Sequence, residues 1–169
     1  MTSRRTLLAG LGIAGLFGLA SRPFGASEPA RAAETFPVQK SEAEWRKQLT
    51  AEQFDVLRKE GTERPYSSPL NKEHRKGIFA CLGCDQKLYS SDTKFESGTG
   101  WPSFYQPLPN AIGTRVDTSF LMKRTEVHCA RCGGHLGHVF DDGPKPTGLR
   151  YCMNGVAMKF LPADAPAAG

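Results

Sequence analysis

CLGC, residues 81–84, and CARCGG, residues 129–134, are the two stretches on which the fold turns. Each carries two cysteines at CxxC spacing, well separated from the other pair along the chain. A tetrahedral Zn²⁺ takes four soft ligands, and one CxxC turn offers two thiolates from a single tight loop. Gly83, Gly133 and Gly134 permit the bends. Four thiolates close the shell and leave no position for water. A metal held by Cys81, Cys84, Cys129 and Cys132 would therefore be structural, joining two distant segments. Two other readings compete. Either pair could form a redox disulfide, but that calls for a CxxC at a helix N-terminus in a βαβ setting, which nothing nearby suggests. His135 and His138 continue the spacing, as Cys129-x₂-Cys132-x₂-His135-x₂-His138, and could replace two cysteines as ligands. Four thiolates complete the shell without them, leaving both histidines for chemistry.

Around these pairs the sequence has the texture of a β domain. Ile78–Ala80, Ile112–Val116, Phe120–Val127, Leu136–Phe140, Leu149–Met153 and Val156–Phe160 are short β-type runs separated by Gly, Pro, Asn and Asp. Asn154-Gly155 is the strongest hairpin signal and predicts that the last two runs pair with each other. Upstream, Ser41 before Glu42, Glu44 and Trp45 marks a helix start. Thr50-Ala51-Glu52-Gln53 fits a capping box for a second helix that Gly61 stops. The expected fold is mainly β: two short N-terminal helices leading into an antiparallel domain clamped by metal.

The N-terminus reads as an address. Ser3-Arg4-Arg5 precedes Leu7–Ala20, an apolar run short of the roughly 20 residues a helix needs to cross a bilayer. Ala30-Arg31-Ala32-Ala33 follows as a small-residue cleavage site. Residues 1–33 resemble a twin-arginine export signal, residues 34–40 a linker, 41–163 the folded domain and 164–169 a tail. Export of an already folded chain, to the periplasm, would let the cysteines take up metal before meeting an oxidising compartment. Much of the net charge of +5 lies in that signal, where Arg4, Arg5, Arg22 and Arg31 face Glu28 alone. The near-neutral remainder gives no reason to expect nucleic acid or an anionic membrane as partner. After cleavage a monomer without stable membrane association is expected.

The fifth cysteine, Cys152, is left unpaired. By composition it reads as a small buried hydrophobe. Arg150, two residues away, would share its strand face, and a cation there favours the nucleophilic thiolate. His135 and His138 could act as acids, and Trp101, Asn154 and Asp142 are further polar or aromatic candidates. Each is equally readable as a structural residue, because spacing cannot show that they converge.

GTERPY (61–66), SGTGWPSFYQP (97–107) and TEVHCARCGGHLGHVFDDGPKPTGLRYCMNG (125–155) together resemble the B-type peptide-methionine sulfoxide reductases, which act on the R epimer. The resemblance covers roughly residues 41–163, with several long motifs in one order. It implies two antiparallel sheets joined through a Cys₄ zinc site, with Cys81, Cys84, Cys129 and Cys132 as ligands. It implies that the Cys152 thiolate attacks the sulfoxide sulfur and becomes a sulfenic acid. His135 and His138 would hydrogen-bond and protonate the sulfoxide oxygen. Trp101 would form the wall against the substrate methyl group, Arg150 and Asn154 would line the site, and Asp142 would orient a histidine. Implied partners are oxidised proteins as substrate and a thioredoxin-like or other thiol as reductant.

One position departs from the pattern. Many members read SGCGWPSF, with a resolving cysteine where Thr99 stands here. A hydroxyl cannot attack a sulfenic acid to make a disulfide. An external thiol is therefore expected to recycle Cys152 directly, unless a metal-site cysteine takes over. A module that uses the same metal scaffold only to hold a protein partner is the competing class.

Overall fold

The computed structural model describes residues 34–163. The expected export signal and C-terminal tail lie outside them. Among the described residues no helix is long and apolar enough to cross a membrane.

Two helices come first, α1 (Glu42–Gln48) and α2 (Ala51–Lys59). Both open on complete capping boxes, Ser41 with Glu44 and Thr50 with Gln53, so the first free N–H groups of each helix are bonded locally. The stop of α2 falls one residue before the expected glycine. Glu60 takes the left-handed conformation, with φ 59°, and Gly61 packs closely on Asp55, whose carboxylate would have to shift to admit a Cβ. The helices bury Trp45, Phe54, Val56 and Leu57 against the β domain.

Nine strands follow: β1 (Gly77–Cys81), β2 (Lys87–Ser90), β3 (Lys94–Phe95), β4 (Ser103–Phe104), β5 (Ile112–Asp117), β6 (Arg124–Cys129), β7 (His135–Phe140), β8 (Arg150–Met153) and β9 (Met158–Pro162). They form two antiparallel sheets, ordered β2-β1-β9 and β3-β4-β8-β7-β6-β5. The mainly β, two-sheet architecture is as expected. A stack of rings passes between the sheets: Phe104 of β4 lies 4.4 Å from Tyr89 of β2 and 4.9 Å from Phe79 of β1, centroid to centroid.

Three local expectations fail. The run from Phe120 enters its strand late, because Ser119–Leu121 form a 3₁₀ turn after the Ser119 N–H bonds the Asp117 carboxylate at 2.8 Å. Asn154-Gly155 is no hairpin. A type I′ turn needs φ above zero at both central residues, whereas Asn154 has φ −65°. Its side chain is spent elsewhere: Oδ1 accepts from the Glu63 N–H at 3.0 Å, and Nδ2 donates to the Leu136 carbonyl at 3.1 Å. The chain therefore changes sheets here, leaving β8 between β4 and β7 and carrying β9 to β1. Finally, residues 34–40 are docked. The Val38 N–H donates to Arg131 O at 2.8 Å, and Phe36 packs edge-on against the His128 ring. Gly133, at φ +66°, leaves the space that Phe36 fills, since a Cβ there would meet its ring at 2.3 Å.

Candidate active site

Cys81 closes β1 in one sheet and Cys129 closes β6 in the other, so the two CxxC turns meet where the sheets abut. The four sulfurs lie within 4.8 Å of one another, with Cys81–Cys132 at 3.8 Å and Cys84–Cys129 at 3.5 Å. Zn–S bonds of about 2.3 Å in a tetrahedron separate the sulfurs by about 3.8 Å. The cage thus has the dimensions of a four-cysteine metal site. Neighbouring sulfurs, Cys129 first, push the Cys81 and Cys132 thiols up, so a full set of thiolates here requires a cation at its centre. His135 and His138 stand apart from this cluster.

Cys152 sits in the middle of the six-stranded sheet. Directly across from it are His138 on β7 and Ser103 on β4, giving a row of three side chains on one face. Between β7 and β8 the backbones approach closely: a Cβ at Gly137, φ +155°, would lie 2.1 Å from the Cys152 carbonyl oxygen. A pocket of about 130 Å³ opens on this face, lined by Thr62, Trp101, Arg124, Gly137, His138, Phe140, Cys152 and Asn154. That volume equals roughly four waters at about 30 Å³ each, enough for the end of one side chain and too little for a nucleotide.

Trp101 is held from both ends. Its indole N–H donates to the Glu63 carbonyl at 3.2 Å, and the adjoining Pro102 carbonyl accepts from the Met153 N–H at 3.0 Å. Glu63 is a hub that the motif GTERPY concealed. Its backbone fixes Trp101 and Asn154, and its buried carboxylate accepts from the Gly155 and Val156 N–H groups at 2.6 and 2.8 Å. Burial pushes that carboxyl up despite the two N–H bonds.

The histidines have carboxylate partners, but not the expected one. Asp142 makes a bidentate pair with Arg150, 2.8 Å on both arms, and orients no histidine. The fork matches guanidinium to carboxylate geometry, which a histidine could not offer. His138 Nε2 lies 2.8 Å from Asp117, and His135 Nδ1 lies 2.8 Å from Glu126. Glu126 comes from β6, next to β7, and Asp117 from β5 beyond it, so a reading along the chain could not find them. Ser119, with His138 and Arg124, holds the Asp117 carboxyl well below its ordinary range. Burial pushes His138 below the usual imidazole value, partly opposed by Asp117. His135 does not line the pocket. It is 2 % exposed behind His138, with ring centroids 5.4 Å apart, and its Nε2 has no hydrogen-bond partner among the described residues. Arg150 lies over the Phe140 ring at 4.4 Å, and its charge is favoured by Asp142 first and by the Cys152 sulfur as well.

Glu126, 3 % exposed, accepts from both His135 and Arg115. Burial alone would raise its pKa, but those two partners outweigh burial and leave it lowered. Glu126→Gln is expected to cost about 3 kcal/mol in urea unfolding at neutral pH, as breaking one side of a buried pair does. A lowered carboxylate stabilises above its unfolded pKa and loses that contribution as pH falls through the folded one. The gap between parent and variant should therefore close in acid. A gap independent of pH would show that the charge plays no part.

The class is that of a small antiparallel β domain with a four-cysteine cage of metal-site dimensions and one thiol facing a small pocket. The chain belongs to the SelR family: a family model described as the SelR domain matches residues 49–162. Relatives named peptide methionine sulfoxide reductase MsrB are similar over most of its length. The Methanosarcina barkeri protein is 58% identical over 124 residues, covering 73% of this chain and 87% of its own. That of Agrobacterium fabrum is 55% identical over 126 residues, with 74% and 93% covered. That of Leptospira interrogans is 52% identical over 126 residues, with 74% and 96% covered.

Proposed function

We propose that this chain reduces the R epimer of protein-bound methionine sulfoxide to methionine. The observation that carries the reading is the pocket that brings Cys152, His138, Trp101 and Asn154 together from separate elements. The Cys152 thiolate attacks the sulfoxide sulfur. The oxygen then passes to the Cys152 sulfur as the new sulfur–sulfur bond and the S–O bond break, so methionine leaves as the thioether and Cys152 is left as a sulfenic acid. His138 lines the pocket with Nε2 held by Asp117, and as the imidazolium its other ring nitrogen carries the proton that passes toward that oxygen. His135, held by Glu126, backs His138 from behind. Trp101 offers its face to the polarised methyl group, while Arg150, locked by Asp142, keeps a cation near the Cys152 sulfur.

Recycling then falls to an external thiol, thioredoxin-like or smaller. One thiol takes the sulfenic oxygen off as water to form a mixed disulfide, and a second thiol releases Cys152. We assign zinc to the four-cysteine cage, because an all-thiolate tetrahedral set suits that ion and needs no open position. Export to the periplasm, from the twin arginines and the Ala-rich site, and a monomeric state complete the proposal.

The test is turnover of the separate R and S epimers of a peptidyl methionine sulfoxide with excess dithiothreitol. Reduction of R alone is expected. Reduction of S alone, or of neither epimer by folded, metal-loaded protein, would overturn the reading.

A further inference from the structure

Thr99 stands beside Cys152, its hydroxyl oxygen 3.7 Å from the sulfur. Behind it runs a line of hydroxyls: Thr99 to Ser97 at 2.8 Å, Ser97 to Ser103 at 2.7 Å, and Ser103 to the Trp101 carbonyl at 3.2 Å. Ser103 is fully buried and faces Cys152 across the β4–β8 pair, so the line is anchored in the sheet itself.

Counting protons fixes how this line can be polarised. Each hydroxyl has one proton to give. The Trp101 carbonyl only accepts, so Ser103 gives its proton there. Ser97 must then give to Ser103, and Thr99 to Ser97. Thr99 is left with lone pairs toward Cys152, and it accepts from the thiol S–H. A thiolate has no proton to offer, and the line must reverse: Thr99 donates to sulfur, Ser97 to Thr99 and Ser103 to Ser97, releasing the carbonyl. The Thr99 N–H, 3.4 Å from Ser97 Oγ, is accommodated in either direction. The exchange trades the longest oxygen–oxygen bond of the line for a charge-assisted bond to sulfur. Because the line ends on a carbonyl, it carries no proton away. It can only turn.

We propose that Thr99 is a further catalytic residue, the contacting end of a Ser103–Ser97–Thr99 hydroxyl chain that turns its proton onto the Cys152 thiolate and turns back when the thiol returns. The inference rests on the proposed function only in taking Cys152 as the nucleophile.

Thr99 and Ser97 make opposite demands. Thr99→Val removes the donor with little change of shape. Ser97→Ala removes the group that holds the Thr99 proton away from sulfur, so Thr99 is free to donate at all times. The test is the alkylation rate of Cys152 by iodoacetamide at neutral pH in metal-loaded protein, followed at Cys152 by peptide mass spectrometry. Thr99→Val should slow it about fivefold, one bond's worth; Thr99→Ser should restore it, and Ser97→Ala should raise it about twofold. A merely structural role would lower the rate in both the Thr99 and Ser97 variants, and that result, or no change in Thr99→Val, overturns the chain. Sulfoxide turnover measured alongside separates the two readings. Alkylation rates that shift as stated, with no turnover in any protein, keep the chain and remove the proposed function.

Discussion

Cys152→Ser is expected to abolish sulfoxide reduction, a loss on the order of 10⁴-fold or more, while bound metal and thermal midpoint stay those of the parent. The two halves of this expectation have separate physical grounds. A serine hydroxyl is not ionised near neutral pH and is a poor nucleophile toward sulfur, so the first bond does not form. The substitution is nearly isosteric on a half-buried strand residue between His138 and Ser103. It changes neither backbone pairing nor the four-cysteine cage, and substitutions away from such features stay within about 0.5 kcal/mol. Steady-state turnover of the R-epimer peptide, with metal analysis and a melting curve on the same sample, checks both. Residual turnover above about one percent of the parent would place the nucleophile elsewhere. Turnover lost together with metal would make Cys152 a structural residue.

What the sequence disclosed and what it hid divide by the range of the interactions involved. The helix start at Ser41 and the capping box at Thr50 rest on contacts within four residues and both hold, Ser41 forming a complete box with Glu44 as well. The cysteine cage was legible because each CxxC supplies two ligands locally, and only their meeting is long-range. Asn154 misled because its side chain answers to Glu63, far back in the chain, rather than to its neighbour Gly155. Asp142 is near the histidines along the chain, but its carboxylate goes to Arg150. The carboxylates that hold them, Asp117 and Glu126, are near only once β5, β6 and β7 are laid side by side. β3 and β4 are too short to carry any alternation, yet β4 brings Ser103 opposite Cys152. Thr99 was visible as a departure from a motif, and its place at the head of a hydroxyl line depends on coordinates no pattern contains.

Removing the metal should unfold the domain before it alters the chemistry. Cys81 and Cys129 terminate strands of different sheets, so a metal in the cage would cross-link the two layers, beside ring contacts such as Tyr89–Phe104–Phe79. An all-cysteine zinc site contributes on the order of 10 kcal/mol to folding, and a domain of this size has in total only about 5–15 kcal/mol. Without the ion, the close sulfurs push Cys81 and Cys132 toward the neutral thiol while Cys84 and Cys129 are held toward thiolate, so the cage keeps only part of its charge and has no cation to hold it together. Chelation under reducing conditions should lower the melting midpoint by at least about 15 °C, at a few degrees per kcal/mol, and zinc should restore it. Cys81→Ser should reproduce the fall with no chelator present. Cys152 belongs to a different part of the sheet, with its own partners His138 and Ser103, so turnover per folded molecule should persist below the lowered midpoint. An unchanged midpoint after verified metal loss would leave the rings and hydrogen-bonded strands to hold the sheets unaided. Activity lost while the protein remains folded would instead tie the metal to the chemistry, contrary to a closed structural site.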